Sequence, residues 1–482
     1  MKHVKRILTA MLATVMLIGC FPTTVGAINS GAEHSYMVEE NYDSQIIPKT
    51  YNFDYVIGGM FDGKTLSTPQ DLFVSTAGDL YIADTGNNRI LRLSAAGELV
   101  QVYTNDTQKP FNGPKGVFVD EDGYVYVADT NNKRLVKMTE DGSFVKEIVR
   151  PDSDLISDDI SFEPTKLVVC NNGLIYVIVG KEFMSITQDN EFLGYFGAED
   201  LPFSLSNMLI NMFASDIQKQ KLTKKQPSAY NNFTLGSDGL VYAVANKTTG
   251  QIKKITSVGE NIYKEQFYGE YVFNQSNVLV APTYADVAVD NNGIIFVCET
   301  NSRKIYQYDR KGNSISVFGG EGSTEGYFSM PVAVDVNDNG QVFVLDSDRG
   351  EVQVFSPTHF MSQVLDALNL FENGEYDQAY DAWYEIFRLN AGYPLAHNML
   401  GTIEFKRKNY EAAMEHFEIA DNQEEYGEAY GEWLHDLFTR NFAWVVLILL
   451  TLVFAGAWGF GRLKKLVDKW NRQLLNITRD GD

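Results

Sequence analysis

The sequence predicts a mainly β protein: a closed ring of six four-stranded sheets, then an α-helical segment, then one transmembrane helix. Three observations carry this reading. A strand–turn–strand pattern returns six times between residues 51 and 358. After His359 the hydrophobic period changes from 2 to 3.6. Residues 442–461 form an uncharged run of 20 residues.

The chain has 482 residues, room for two or three domains. Hydrophobic residues make up 44 % and charged residues 21 %, the balance of a chain that buries cores. Lys and Arg number 40 and Asp and Glu 63, a formal net charge of −23. Phosphate backbones repel such a chain, so nucleic acid is excluded as a partner. Three cysteines exclude a disulfide-stapled scaffold.

Residues 1–27 read as a signal peptide. Lys2, Lys5 and Arg6 give a positive start, Ile7 to Gly19 is a short apolar run, and Val25-Gly26-Ala27 offers a cleavage site. Leu17-Ile18-Gly19-Cys20 also resembles a lipobox, so a lipoprotein signal is the competing reading. Cleavage after Ala27 would leave Cys170 and Cys298, expected as free, packed thiols. Residues 28–50 read as an N-terminal linker.

The repeats follow. Leu72-Phe73-Val74, Gly78-Asp79-Leu80-Tyr81-Ile82-Ala83-Asp84-Thr85-Gly86-Asn87-Asn88-Arg89 returns 45 residues later as Val117-Phe118-Val119, Gly123-Tyr124-Val125-Tyr126-Val127-Ala128-Asp129-Thr130-Asn131-Asn132-Lys133-Arg134. Turn glycines at 173, 239, 293 and 340 anchor four more copies. Each copy reads as strand, tight turn, strand, loop, strand. Such units protect their edges by closing into a ring.

These motifs resemble the NHL repeat, the unit of six-bladed β-propellers, over residues 51–358. The resemblance implies that Tyr51–Ile57 completes the last blade. It implies that Asp84, Arg89, Asp129 and Arg134 hydrogen-bond blade to blade. Copies three and four depart from the pattern, with Val179-Gly180-Lys181 and Ala245-Asn246-Lys247-Thr248 in place of Asp-Thr. A helical insertion, 199–227, follows copy three. Its Met208, Leu209, Met212 and Phe213 are candidate partner-binding residues, and a helix docked on the propeller is the alternative.

No histidine lies between residues 35 and 358, so the ring holds neither a histidine metal site nor a Ser-His-Asp triad. No catalytic residue, metal or cofactor is assigned. Repeat register sets Asp71, Lys115, Lys166 and Asp286 at the starts of innermost strands, by the axial channel. Tyr230, Asn231 and Tyr284 join them. This mixture of charge and aromatic groups suits a polar, sugar-like ligand and also suits a plain channel lining.

Past the ring, Gly374–Trp383 recurs 34 residues on as Lys408–Phe417, resembling two tetratricopeptide (TPR-like) repeats over 359–421. Small Ala379 and Ala413 would let helices approach, with Trp383 and Phe417 filling between them. Residues 422–441 read as a juxtamembrane helix and 442–461 as the transmembrane helix, with Trp444 and Trp458 near its ends. The tail, 462–482, is basic, which sets it in the cytoplasm and the acidic bulk outside.

The expectation is a single-pass, membrane-anchored extracytoplasmic binding or scaffold protein of a bacterial cell surface. Its partners would be membrane or extracellular proteins, transporter components among them, or a small carbohydrate. An accessory role in carbohydrate uptake is the first expectation by fold-level analogy. The alternative is a carboxylate- and Ca-dependent propeller hydrolase or lactonase.

Overall fold

A computed structural model describes residues 34–38, 44–104, 109–196, 230–274 and 276–477. They fall in two compact units that divide between Asn373 and Gly374. The insertion 199–227, with Met208, Leu209, Met212 and Phe213, and the signal segment 1–27 lie outside the described residues.

The first unit is a six-bladed β-propeller. Blade one is built of Asp71–Val74, Leu80–Asp84, Arg89–Leu93 and Leu99–Tyr103. Blade two is Pro114–Val119, Val125–Asp129, Arg134–Met138 and Phe144–Ile148. Blade three is Pro164–Val169, Leu174–Val179, Glu182–Thr187 and Phe192–Tyr195. Blade four keeps three regular strands, Tyr230–Leu235, Val241–Ala245 and Ile252–Ile255. Blade five starts with Tyr284–Val289, Ile295–Glu299, Lys304–Tyr308 and Ser314–Gly319. Blade six is Pro331–Val336, Val342–Asp346, Glu351–Pro357 and the N-terminal strand Tyr51–Gly58. That last strand pairs antiparallel with Glu351–Pro357, from Glu351↔Gly58 to Pro357↔Tyr51. The ring is thus closed by joining its two chain ends, as the sequence predicts.

Stacking of blade on blade explains the burial. The second strands, such as Val125–Asp129, are buried on both faces because a neighbouring blade covers each one. The fourth strands carry exposed Leu99, Val100, Phe144 and Val145. Innermost strands begin with a register shift at the same place in five blades, skipping Lys115, Thr165, Asn231, Ala285 and Val332.

Within 28–50, read as a linker, lies a hairpin. His34–Val38 pairs with Ser44–Pro48 and also with Ser314–Gly319, extending blade five to six strands. Glu270 fastens it, accepting from the Tyr36 hydroxyl at 2.9 Å, the Tyr306 hydroxyl at 3.1 Å and Lys304 Nζ at 2.7 Å. Burial opposes the Glu270 charge, but Lys304 and the two hydroxyls outweigh it and hold its pKa below the ordinary value. Helix α1, His359–Glu372, ends this unit; the Thr358 hydroxyl caps it, accepting from Met361 N and donating to Lys49 O.

The second unit is helical. Helices α2 (Tyr376–Leu389), α3 (Pro394–Lys406), α4 (Tyr410–Ile419) and α5 (Gln423–Arg440) each pack on the next. Ala379, Trp383, Ala413 and Phe417 are fully buried. A Cβ on Gly401 would lie 2.8 Å from the Phe417 ring, so only glycine lets that ring seat. Helix α6, Phe442–Ile477, is the one described helix long and apolar enough to cross a membrane.

Candidate functional site

Two layers of side chains organise the ring on the face where second strands end. The outer layer is the Asp-Thr loop. In blade one Asp84 accepts from Ser67 N at 2.8 Å, Asn87 Nδ2 at 2.9 Å and Arg89 Nε at 2.7 Å. Arg89 also donates to Phe61 O and Lys64 O. Blade two repeats this with Asp129, Asn112 N, Asn132 and Arg134. The Asp–Arg pairs therefore pin the incoming connection from the previous blade. The reach to the following blade belongs to threonine: Thr85 Oγ1 donates to Pro114 O and Thr130 Oγ1 to Pro164 O, both at 2.7 Å. Asn88, at φ +55°, adds a bond from Gly113 N. In blade five Glu299 stands in for the aspartate and in blade six Asp346 keeps it. Blades three and four hold Val179 and Ala245 there, so two adjacent blades lack the clamp.

The inner layer lies at the hub. One register position of the six innermost strands holds Asp71, Gly116, Lys166, Asn232, Asp286 and Ala333 in blade order. Lys166 Nζ of blade three lies 2.7 Å from Asp71 Oδ1 of blade one. Blade two between them contributes Gly116, whose Cβ would sit 2.6 Å from Thr165 O. Asp71 Oδ2 accepts from Val117 N, and Asp286 Oδ2 from Val334 N, both at 2.9 Å. Asp335, two residues further along blade six, accepts from Val74 N at 2.7 Å. Three carboxylates thus bond the backbone of the next blade, across three consecutive junctions from blade five to blade two.

Burial raises the pKa of each of these carboxyls. Asp286 is pushed up to about 7, with Lys166 opposing and Asp71 adding to the rise. Asp335 reaches about 6. Burial works against the Lys166 ammonium, but Asp71 first, then Asp286 and Asp335, hold it above its ordinary value. Buried Cys298 is pushed up by burial, with Asp286 and Glu299 adding to the rise.

Of the residues singled out in the sequence, Asp71, Lys166 and Asp286 meet at this hub. Tyr230 and Tyr284 are buried in blade cores. Asn231 Nδ2 donates to Tyr284 O, joining blades four and five. Lys115 is a half-buried bulge residue. Asp335 and Glu270 were not singled out. A charge where other copies carry Phe73, Phe118 or Val168 was the available sign of Asp335; Glu270 sits outside the repeat pattern.

A divalent cation finds no ready seat at the hub. Each of the six oxygens of Asp71, Asp286 and Asp335 already accepts a hydrogen bond, and the Lys166 ammonium stands among them. Among the described residues no group of three or more His, Cys, Asp or Glu is arranged to hold a metal ion.

The NHL repeat profile matches residues 111–138 and 328–355, in blades two and six. No curated protein matches the chain. Among solved structures, a streptogramin B lyase is similar at 17 % identity and a TM-score of 0.40, over 68 % of this chain and 87 % of that one. Virginiamycin B lyase from Staphylococcus aureus is similar at 16 % and 0.38, over 64 % and 89 %. A gluconolactonase from Xanthomonas campestris is similar at 11 % and 0.42, over 68 % and 96 %. Likeness at this level transfers no activity. By its blades, its clamps and its matched segments, this chain is a six-bladed β-propeller that carries NHL repeats.

Proposed function

We propose that the chain is a membrane-anchored binding or scaffold protein whose propeller recognises a protein partner outside the cytoplasm. One observation carries this reading. The connection from blade four to blade five forms a small hairpin, Val272–Phe273 with Leu279–Val280, on the Asp-Thr face. Its Phe273, Val278 and Leu279 are each more than half exposed. Contiguous apolar exposure of this kind marks interaction surfaces. The chain leaves blade three at Phe196 and returns at Tyr230 on the same face, so the two irregular blades and the apolar hairpin lie side by side there.

The hub supports a protein partner over a small ligand, because its charged groups bond one another and the backbone. The calcium-dependent hydrolase reading draws no support from the hub, whose Asp71, Asp286 and Asp335 oxygens already accept hydrogen bonds. Helix α6 supports anchoring, and the cations after Gly461 support an outward propeller. A transporter component for carbohydrate uptake is the first partner to seek.

The test is site-specific photo-crosslinking of the full chain in its native membrane. A crosslinker at Phe273 or Leu279 should give one discrete adduct. The same group at Val145, exposed on the outer strand of blade two, should give none. Adducts absent from all three positions, or equal at all three, contradict the reading.

A further inference from the structure

The apolar run stops at Gly461, but helix α6 does not. It has 36 residues, from Phe442 to Ile477. At 1.5 Å per residue that is about 54 Å, against about 30 Å of hydrocarbon. Four to five helical turns therefore lie beyond the span.

Those turns have two faces. Leu463, Leu466, Val467 and Trp470 recur at i, i+3, i+4 and i+7, one stripe of a helix. They are between 51 and 72 % exposed. Arg462, Lys464, Lys465, Lys469 and Arg472 occupy the remaining surface, with Asp468 the one acidic residue among them. A straight continuation into water would leave the stripe wet. A bend at the membrane surface would bury it. The junction is made for bending: Gly456, Gly459 and Gly461 fall within its six residues, and glycine is where helices yield. Arg462 lies over the Trp458 ring, 4.3 Å from its centroid, the pairing of an aromatic and a cation found at a bilayer boundary.

We propose that residues 462–477 form an amphipathic collar that lies on the anionic surface of the bilayer crossed by residues 442–461. The apolar stripe sinks between headgroups and the five cations face lipid phosphates. The occupant is chosen by charge: a stripe flanked by five cations repels a second copy of itself and attracts an acidic headgroup layer. This inference rests on the membrane-anchored reading above. It gives the anchor a lipid preference that an apolar span alone lacks.

The experiment uses the full chain with its own cysteines replaced by alanine and Val467→Cys introduced, labelled with an environment-sensitive fluorophore. It is reconstituted into vesicles of phosphatidylcholine, or of phosphatidylcholine mixed with phosphatidylglycerol. The protein should resist an alkaline wash in both. The fluorophore should report an apolar setting only with phosphatidylglycerol, and high salt should reverse this. Each cation near an anionic surface strengthens contact by about fivefold, so reversing three (K464E/K465E/K469E) should weaken the response by more than about tenfold. An apolar signal in both lipids, unchanged by the triple variant and accompanied by crosslinked dimers, would assign the stripe to a second copy and overturn the proposal. A water-like signal in both lipids would overturn it too. Loss of the protein in the alkaline wash would remove the anchored reading itself; retention without a lipid-dependent signal would remove only the collar.

Discussion

Lys166 and Asp71 meet across the hub from blades three and one, Nζ to Oδ1 at 2.7 Å, over the glycine that blade two places between them. A pair this buried is weak evidence of net stabilisation, but removing one member strands the other. Asp71→Asn or Lys166→Met should therefore cost about 3–5 kcal/mol each, read by urea unfolding of the propeller. The double variant should cost less than the sum of the two, because the stranded charge is gone. Strict additivity would mean that the two groups act independently.

The hub also sets a pH dependence. The Asp286 carboxyl titrates near 7 in the folded chain, against the ordinary 3.8. The folded state therefore holds a proton that the unfolded state has lost across that interval. Stability from this group is full below about 4 and drains as pH rises through about 7. Relative to Asp286→Asn, the wild-type propeller should lose on the order of 2–4 kcal/mol between pH 4 and pH 7.5. Parallel stability profiles for the two proteins would contradict the assignment.

The Asp-Arg clamps should differ in worth. Arg134 is buried and bonds Asp129 at 2.8 Å, Glu147 at 2.9 Å and Lys109 O at 2.8 Å. Blade six places Glu351 opposite Asp346 at that register, and its nearest arginine, Arg349, stands 3.8 Å from Asp346 and bonds Glu351 at 3.0 Å and Gly322 O at 2.8 Å instead. Arg134→Met should cost about 3–5 kcal/mol, as for one partner removed from a buried pair. Arg349→Met should cost less, about 1–2 kcal/mol, because Asp346 keeps its bonds from Ser329 N and Met330 N when that side chain is lost. Thermal denaturation of both variants checks the order.

A second pH response lies in the helical unit. His397 and His416 face each other, Nδ1 to Nδ1 at 3.1 Å, and His397 Nε2 lies 3.0 Å from Ala391 O. With Nε2 donating to that carbonyl, His397 Nδ1 is the acceptor and His416 Nδ1 the donor between the rings. Burial first, then His397, lowers the His416 pKa, while Glu415 and Glu404 oppose. The unfolded chain then takes up a proton at His416 that the folded unit refuses, so stability is intact above about 6.5 and is lost as pH falls below it. All five tryptophans lie in this unit, so tryptophan emission isolates its unfolding. His416→Gln should flatten the loss below pH 6.5; an unchanged slope would clear the pair of this role.

Much of the ring was legible because its signals are local. Asp84, Thr85 and Arg89 recur at fixed spacing, and the turn glycines fix the strands around them. The closing strand Tyr51–Gly58 was legible for the same reason. Other features depend on closure. Nothing near Lys166 in sequence points to Asp71, 95 residues away, because the pairing exists only once three blades stand side by side. Asp335 hid in a column that is uncharged in every other copy, Phe73, Phe118, Val168, Thr234 and Ala288. The hairpin at His34–Pro48 is too short for alternation to register, and its anchor Glu270 lies in an irregular connection. The Asp-Thr face was expected to break symmetry at blades three and four; the apolar hairpin after blade four was hidden by the weak pattern of two-residue strands.

The most direct measurement is side-specific thiol labelling of the full chain in intact cells with a membrane-impermeant reagent. In a chain whose own cysteines are replaced by alanine, one variant carries Ala77→Cys in an exposed turn of blade one, and a second carries Lys464→Cys beyond the apolar span. An anchored, outward-facing propeller predicts labelling of the first in intact cells and of the second only after permeabilisation. The reverse pattern, or labelling of both alike, contradicts it.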